Sequence, residues 1–373
     1  MSKPINVTKS FLPPYEEYEA HLKQIWESVH LTNAGPKVLE LERQLRDFLG
    51  VKHVFFCANG TVALQIALKA LGITKGVITT PFSYCATSHV VLWENAQIQF
   101  ADVRPDTLCL DPAAVEARIT PDTEAILGTH VYGLPCDVVA LKEITDRHGL
   151  KVIYDGAHAF GARLHGRSLL AYGDVATCSF HATKLFHTVE GGAMLTNDDD
   201  LAEKINYYRS FGHQGQEFAD YHTMGINAKN SELHAAMGLC NLPYVPGLIQ
   251  RRREISERYD DLLLPAGVER PHLPEGLDYN YPYYPVLLTD EEQMGAVRKA
   301  LADEKIYTRR YFYPSLNTLP FMPGYEACPV SEDAAARVLC LPLFPDLADA
   351  DVERIAALTV EALHQFAPVS EKS

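Results

Sequence analysis

Apolar and polar positions along this chain follow two different periods. From Val38 to Ser210, short near-continuous apolar runs are separated by stretches in which apolar residues recur every three or four positions. The runs predict strands at Val54–Cys57, Gly76–Thr80, Ile98–Val103, Ala125–Thr129, Val152–Asp155, Val175–Phe180 and Ala193–Thr196. Most intervals between them predict helices. One is Val62–Leu71, which follows the turn Ala58-Asn59-Gly60-Thr61 with its helix-capping residues. Strands that are apolar on both faces fit a mostly parallel sheet covered by helices on each side. Ligands of such sheets bind beyond the carboxyl ends of the strands. Three polar clusters fall there: Asn59-Gly60-Thr61, Asp155, and Ser179 to Lys184.

Further along, Ser231 to Leu264 reads as a long helix, and from Tyr281 strand and helix alternate on a smaller scale. Pro265, Pro271 and Pro274 mark a change of layer after that helix. A chain of 373 residues exceeds the roughly 250 to 300 at which single cores stop growing. The expected division is therefore an N-terminal arm and large α/β domain over 1–245, then a connecting helix and small C-terminal α/β domain over 246–373. The run Arg251-Arg252-Arg253 is followed by acidic residues at helical spacing and reads as a solvated helix face.

Composition narrows the function. With 47% hydrophobic and 22% charged residues the chain has the balance of a soluble globular protein. A formal net charge of -15 argues against nucleic-acid and anionic-membrane partners. No run approaches the ~20 apolar residues of a membrane span, and the first residues lack a signal-peptide core, so the expected location is cytoplasmic. Eight cysteines without a Cys-x-x-Cys pair read as small buried hydrophobes. Histidines are plentiful, but there is no His-Glu-x-x-His, and His181 and His187 are spaced for neither a zinc helix nor a finger, so no metal is expected. No glycine-rich dinucleotide or phosphate-loop motif follows a strand.

The sharpest chemical feature is CSFHATKLFHTVEGGAML, which sets Lys184 just past a buried strand in a loop rich in hydrogen-bonding groups. A lone lysine is ordinarily solvated; in a desolvated pocket its pKa falls, and the neutral amine can attack a carbonyl cofactor. Asp155 at a strand end reads either as a turn former or as a carboxylate for a pyridine nitrogen. His158, three residues on, is a loop histidine or a neighbour of the same ring. Gly60 and Thr61 open a helix, where N–H groups and the helix dipole favour a phosphate, although a plain cap explains them equally. Ser179 is a further phosphate candidate, and Tyr84 in TTPFSYCATSH is a core tyrosine or a stacking partner for a flat cofactor.

Taken together, LTNAGPKVLELE, CANGTVALQIAL, TTPFSYCATS, FADVRPDTLCLD, THVYGLPCDV, VIYDGAHAFGA, SFHATKLFHTVEGGAMLT, RSFG and GINAKNSELHAAMG resemble, in order and over nearly the whole chain, the DegT/DnrJ/StrS family of sugar aminotransferases. The resemblance implies fold type I, the aspartate aminotransferase fold, and pyridoxal 5'-phosphate (PLP), with pyridoxamine 5'-phosphate as the alternate form. It makes Lys184 the Schiff-base lysine, pairs Asp155 with the pyridine nitrogen and puts His158 near the ring hydroxyl. Tyr84 stacks on the ring, and Gly60, Thr61 and Ser179 bind the phosphate. Asn227 joins them from the neighbouring subunit of a homodimer.

There are departures from the family pattern. Many members have Gln in place of His158, and an aromatic and Arg in place of Ala228 and Lys229. The variants SFHATKLFHT and GINAK resemble the branch that forms dTDP-4-amino-4,6-dideoxyglucose (viosamine) for O-antigen or other glycans, with L-glutamate as amino donor. Asn33, His187, Arg309 and Tyr311, with Arg310, are then candidate contacts to an anionic sugar nucleotide. The alternatives left open are a 3-keto or UDP- or GDP-linked sugar, a non-catalytic regulator of the same fold, and a PLP sugar dehydratase. In the dehydratases His replaces the lysine, so Lys184 speaks against that last one.

Overall fold

A computed structural model describes residues 3–213 and 221–365. All seven predicted strands form: β1 (His53–Cys57), β2 (Gly76–Thr79), β3 (Gln97–Phe100), β4 (Thr123–Thr129), β5 (Lys151–Asp155), β6 (Val175–Ser179) and β7 (Gly192–Thr196). They make one sheet in the order β1-β7-β6-β5-β4-β2-β3. Only β7 runs antiparallel to its neighbours.

Alternate residues of each strand feed opposite cores, which is why the strands read as continuous apolar runs. Ile126, Val152, Tyr154 and Ala176 pack on one face, whereas Leu127, Ile153, Val175 and Met194 pack on the other. Helix Gly60–Ala70 covers the second face through Ala63, Leu64, Ala67 and Leu68, all buried. It begins where Asn59 Oδ1 accepts the Val62 N–H at 2.9 Å.

The C-terminal part has its own core, built by Ile255, Tyr259, Val286, Leu301, Leu339 and Ile355. Strands β8 (Tyr284–Leu287) and β9 (Val338–Leu341) pair antiparallel there, and helices Glu291–Asp303 and Asp349–Gln365 pack against each other in the same unit. The first residues of the N-terminal arm touch this unit. Ile5 and Asn6 pair in parallel with Ile306 and Tyr307, and the Leu343 N–H donates to Val7 O at 3.0 Å. The segment predicted as one long helix is two, Glu232–Asn241 and Val245–Leu263, joined by a 3-10 turn over Leu242–Tyr244. Pro243 and Pro246 lack the N–H that a continuous helix needs there.

All eight cysteines are free, and only Cys85 is not fully buried. Among the described residues no helix is long and apolar enough to cross a membrane.

The arginine run is not uniformly solvated. Arg251 and Arg253 pair with Glu254 and Glu257 at the surface, but Arg252 is buried. Its guanidinium donates to the carbonyls of Tyr281 (3.4 Å), Pro282 (3.2 Å) and Leu343 (3.2 Å), and burial lowers its pKa to about 10. These bonds tie the connecting helix to the segment entering β8. Arg252→Ala should therefore cost about 2–4 kcal/mol through stranded carbonyls, read as a lower urea midpoint. Arg253→Ala should stay within about 0.5 kcal/mol. Equal midpoints for the two variants would refute the assignment.

Candidate active site

Past the carboxyl ends of β4, β5 and β6 lies a cavity of about 450 Å³. Gly60, Thr61, Tyr84, Asp155, His158, Ser179 and Lys184 all line it, so the sheet edge brings together the residues predicted from the sequence. Tyr311 lines it too, joined from the C-terminal unit by Tyr283 and Phe312.

Lys184 is held by a compact loop. Its N–H donates to His181 O at 2.9 Å, and Thr188 N–H returns to Phe180 O at 2.9 Å. Phe186 anchors the loop by stacking on Phe160 at 4.4 Å. At Gly192 a Cβ would lie 2.5 Å from the Asn59 backbone, so only glycine lets β7 close against the turn that starts helix Gly60–Ala70. Gly60 is less confined: a Cβ there would sit 3.1 Å from Ser179 Cβ, a tight contact that a small shift could relieve. The Asn59 cap occupies the Val62 N–H, while the N–H groups of Gly60 and Thr61 have no partner among the described residues. They face the cavity end of the helix dipole, beside Ser179, and suit a phosphate.

Asp155 is buried opposite this helix end. Oδ1 accepts the Ala157 N–H at 3.0 Å and Oδ2 accepts the Thr87 hydroxyl at 2.8 Å. Thr87 is held by Ser83 at 2.7 Å, and Ser83 by Thr129 at 3.0 Å. Burial raises the Asp155 pKa, opposed by the Ala157 N–H, the Thr87 hydroxyl and the Lys184 charge. A cation on the ligand would relieve that burial and hold the carboxylate ionised.

His158 Nδ1 accepts the Tyr132 N–H at 3.1 Å. A neutral ring in that position carries its proton on Nε2 and is a donor. Burial, helped by Lys184, holds its pKa well below the usual value, so the ring is neutral. The Lys184 pKa is also lowered by burial, with Asp155 the main opposing charge. Its Nζ lies 3.4 Å from the Tyr283 hydroxyl and 5.9 Å from the centre of that ring. A hydroxyl can accept from an ammonium or donate to a free amine, so Tyr283 can hold this nitrogen in both protonation states.

Other candidates lie elsewhere. His187 is buried outside the cavity, with Nε2 2.6 Å from Phe11 O and Nδ1 accepting the Val189 N–H at 3.2 Å, so it fastens the N-terminal arm to the lysine loop. Arg310 is committed to Glu291 (2.9 Å) and Ala336 O (2.8 Å). Arg309 lines an adjoining cavity. Asn33 is exposed, with a left-handed φ of 63°, in a loop held where the Glu232 N–H donates to Leu31 O at 3.0 Å. Asn227 is exposed and does not line the cavity; its side-chain oxygen accepts from Lys229 Nζ at 2.8 Å.

Sequence reasoning missed Ser83, Thr87, Thr129 and Tyr283. Ser83 and Thr87 stood in the same TTPFSYCATS segment as Tyr84, four residues apart, and that spacing was the available signal. Tyr283 gave none beyond its aromatic neighbours.

A lysine amine shares a cavity with a buried carboxylate at the carboxyl edge of an α/β sheet, with a helix N-terminus beside it, an arrangement suited to an enzyme site. The chain belongs to the DegT/DnrJ/EryC1/StrS aminotransferase family, whose model matches residues 15–359. It is 38% identical over 366 residues to the dTDP-4-amino-4,6-dideoxy-D-glucose transaminase of Shigella dysenteriae, covering 96% of this chain and 98% of that one. A protein of the same name from Escherichia coli is 38% identical over 377 residues, covering 95% and 98%. Among solved structures, that of DesI in the presence of its TDP-sugar product superposes with a TM-score of 0.91 at 35% identity, over 97% of this chain and 93% of that one.

With its pKa lowered, Lys184 should be labelled by trace acetic anhydride in cofactor-free protein with a pH midpoint below that of the surface lysines. Asp155→Asn removes the charge that most supports the ammonium and should move that midpoint lower still. Peptide mass spectrometry reads both; a midpoint unmoved by Asp155→Asn would break the proposed coupling.

Proposed function

We propose that this chain is a PLP-dependent aminotransferase that moves the amino group of L-glutamate to C4 of dTDP-4-keto-6-deoxyglucose, forming dTDP-4-amino-4,6-dideoxyglucose. The observation that carries the reading is the half-buried Lys184 amine sharing one cavity with the buried Asp155 carboxylate. The sugar and nucleotide are taken from the names of the Shigella and Escherichia relatives.

The residues present fit PLP. Gly60 and Thr61 N–H groups and the Ser179 hydroxyl would hold its phosphate, Asp155 its ring nitrogen and His158 Nε2–H its ring oxygen, with Tyr84 over one face and Lys184 at the aldehyde. When bound, PLP supplies a conjugated pyridinium that takes up the electron pair left at carbon when a proton is removed. Asp155 keeps that ring nitrogen protonated. Lys184 Nζ takes the proton from Cα of glutamate and, in the second half-reaction, delivers one to C4 of the sugar. Tyr283 holds the amine on station between those transfers. Tyr311 and Phe312 wall the cavity against water.

We further place the enzyme in the cytoplasm as a homodimer, with Asn227 completing the partner subunit's phosphate site. Lys229, by holding the Asn227 oxygen, leaves the amide N–H groups as the outward donors.

Lys184→Ala should fold, fix no cofactor on borohydride reduction and lose turnover by about 10³-fold or more. With glutamate and a panel of 4-keto and 3-keto nucleotide sugars, wild-type enzyme should release 2-oxoglutarate beyond the single equivalent per site of the first half-reaction only with the 4-keto dTDP sugar. Mass and proton couplings identify the product. Retained turnover in Lys184→Ala, or no keto acid from glutamate with any sugar, would sink the proposal.

A further inference from the structure

Behind Asp155 runs a chain of hydroxyl groups drawn from β4 and from the segment that follows β2. Asp155 Oδ2 accepts the Thr87 hydroxyl at 2.8 Å, and Ser83 Oγ lies 2.7 Å from Thr87 Oγ1 and 3.0 Å from Thr129 Oγ1. All four side chains are buried. We propose that this chain decides where one proton of the bound cofactor sits: it favours the charged form of Asp155, so that the proton stays on the ring nitrogen. Thr87 is the positioning residue, with Ser83 and Thr129 behind it. The inference rests on the reading of the cavity as a PLP site.

Proton counting fixes the direction of the chain. A hydroxyl has one proton to donate, and an ionised carboxylate can only accept. Thr87 spends its proton on Asp155, so it meets Ser83 as an acceptor and Ser83 is the donor. Ser83 has then spent its own proton, so Thr129 donates to Ser83. All three O–H bonds therefore point towards the carboxylate, and each polarises the next. A hydrogen bond to an ionised acceptor is roughly twice as strong as one to a neutral acceptor. The chain thus stabilises the Asp155 carboxylate more than the acid.

Asp155 and a ring nitrogen bound opposite it share one proton. Either a cationic N–H faces a carboxylate, or a neutral nitrogen faces a carboxylic acid. Burial favours the neutral pair, because desolvation penalises charge and raises the Asp155 pKa. The Ala157 N–H at 3.0 Å from Oδ1, the Thr87 hydroxyl and the Lys184 charge favour the charged pair. Cys178 on β6 adds no charge of its own, since burial pushes its thiol up to about 12. Only the charged pair gives the ring its full power to draw electrons from the reacting carbon. A purely mechanical role would leave the hydroxyls unexplained. Helix Ala86–Trp93, which carries Thr87, is already seated by buried Val90 and Val91, and valine in place of Thr87 would fill nearly the same space with no hydroxyl to satisfy.

The test is nitrogen-15 NMR of wild type, Thr87→Val, Thr87→Ser and Ser83→Ala, each loaded with PLP labelled at the ring nitrogen, a readout that needs no turnover. It is paired with the single-turnover rate at which glutamate converts the bound cofactor. Thr87→Val should move the ring resonance towards that of a neutral pyridine and slow the conversion about tenfold or more. Ser83→Ala should do the same to a smaller degree, because it removes a donor one step back. Thr87→Ser, which keeps the hydroxyl, should restore the resonance and most of the rate. A resonance in Thr87→Val unmoved from wild type would overturn the proposal, as would equal losses in Thr87→Val and Thr87→Ser. Should Thr87→Val fail to fold or to take up PLP, Ser83→Ala decides: a resonance displaced towards neutral pyridine supports the chain's role, and an unmoved one overturns it. A wild type that holds PLP with its ring nitrogen unprotonated sinks this inference alone, whereas a wild type that takes up no PLP removes the reading of the cavity itself.

Discussion

Asp155 is a carboxylate taken out of water without an ion pair among the described residues. It has two hydrogen-bond donors and, across a cavity, a lysine whose own charge burial disfavours. Removing an ion from water costs several kcal/mol even after relaxation, and two donors offset only part of it. Each group of the pair thus stays short of what it needs. A ligand with a cationic ring nitrogen answers the carboxylate, and its carbonyl answers the amine.

Much of the surrounding structure keeps the deficit in place. β5 lies in the middle of the sheet between β4 and β6, so the backbone under Asp155 is fixed on both sides. The chain of hydroxyls from Thr129 through Ser83 to Thr87 fixes one carboxylate oxygen and links β4 to the segment after β2. The C-terminal unit closes the other side. Asn280 donates to the carbonyls of His158 (2.7 Å) and Phe160 (2.9 Å), and the Tyr279 hydroxyl to that of Tyr132 (2.8 Å). These contacts carry Tyr283 up to the lysine. Two separate hydrophobic regions therefore share one site, and loosening the joint between them would admit water to the very groups whose desolvation sets their pKa values.

What could be read from the sequence follows from the range of the forces involved. Strand positions were legible because burial on both faces writes an apolar run, and the seven strands appeared where those runs lay. Lys184, Asp155, His158 and Ser179 stood out because each lies at the end of such a run or a few residues past it, on a sheet whose ligand edge topology dictates, and the fold brings all four to one cavity. The break between Asn241 and Val245 was written in Pro243 and Pro246 but was overridden by the apolar periodicity on either side. Arg252 could not be read, since a buried arginine needs carbonyls from Tyr281, Pro282 and Leu343, distant in sequence. His187 misled for the same reason. Its neighbourhood in the lysine loop is that of a substrate contact, yet its partners, Phe11 and Asn241, make it an anchor for the arm.

The distribution of charge connects these cases. On a chain with 48 acidic and 33 basic residues, a free cation is the exception, because a carboxylate is usually within reach. Buried cations here are met by carbonyls, as at Arg252, or by a carboxylate, as where Arg209 pairs with Glu42, and at Lys184 burial lowers the pKa. Surface cations are largely absorbed by Asp and Glu. The same imbalance argues against nucleic acid as a partner, because an excess of negative charge repels a polyanion from most of the surface.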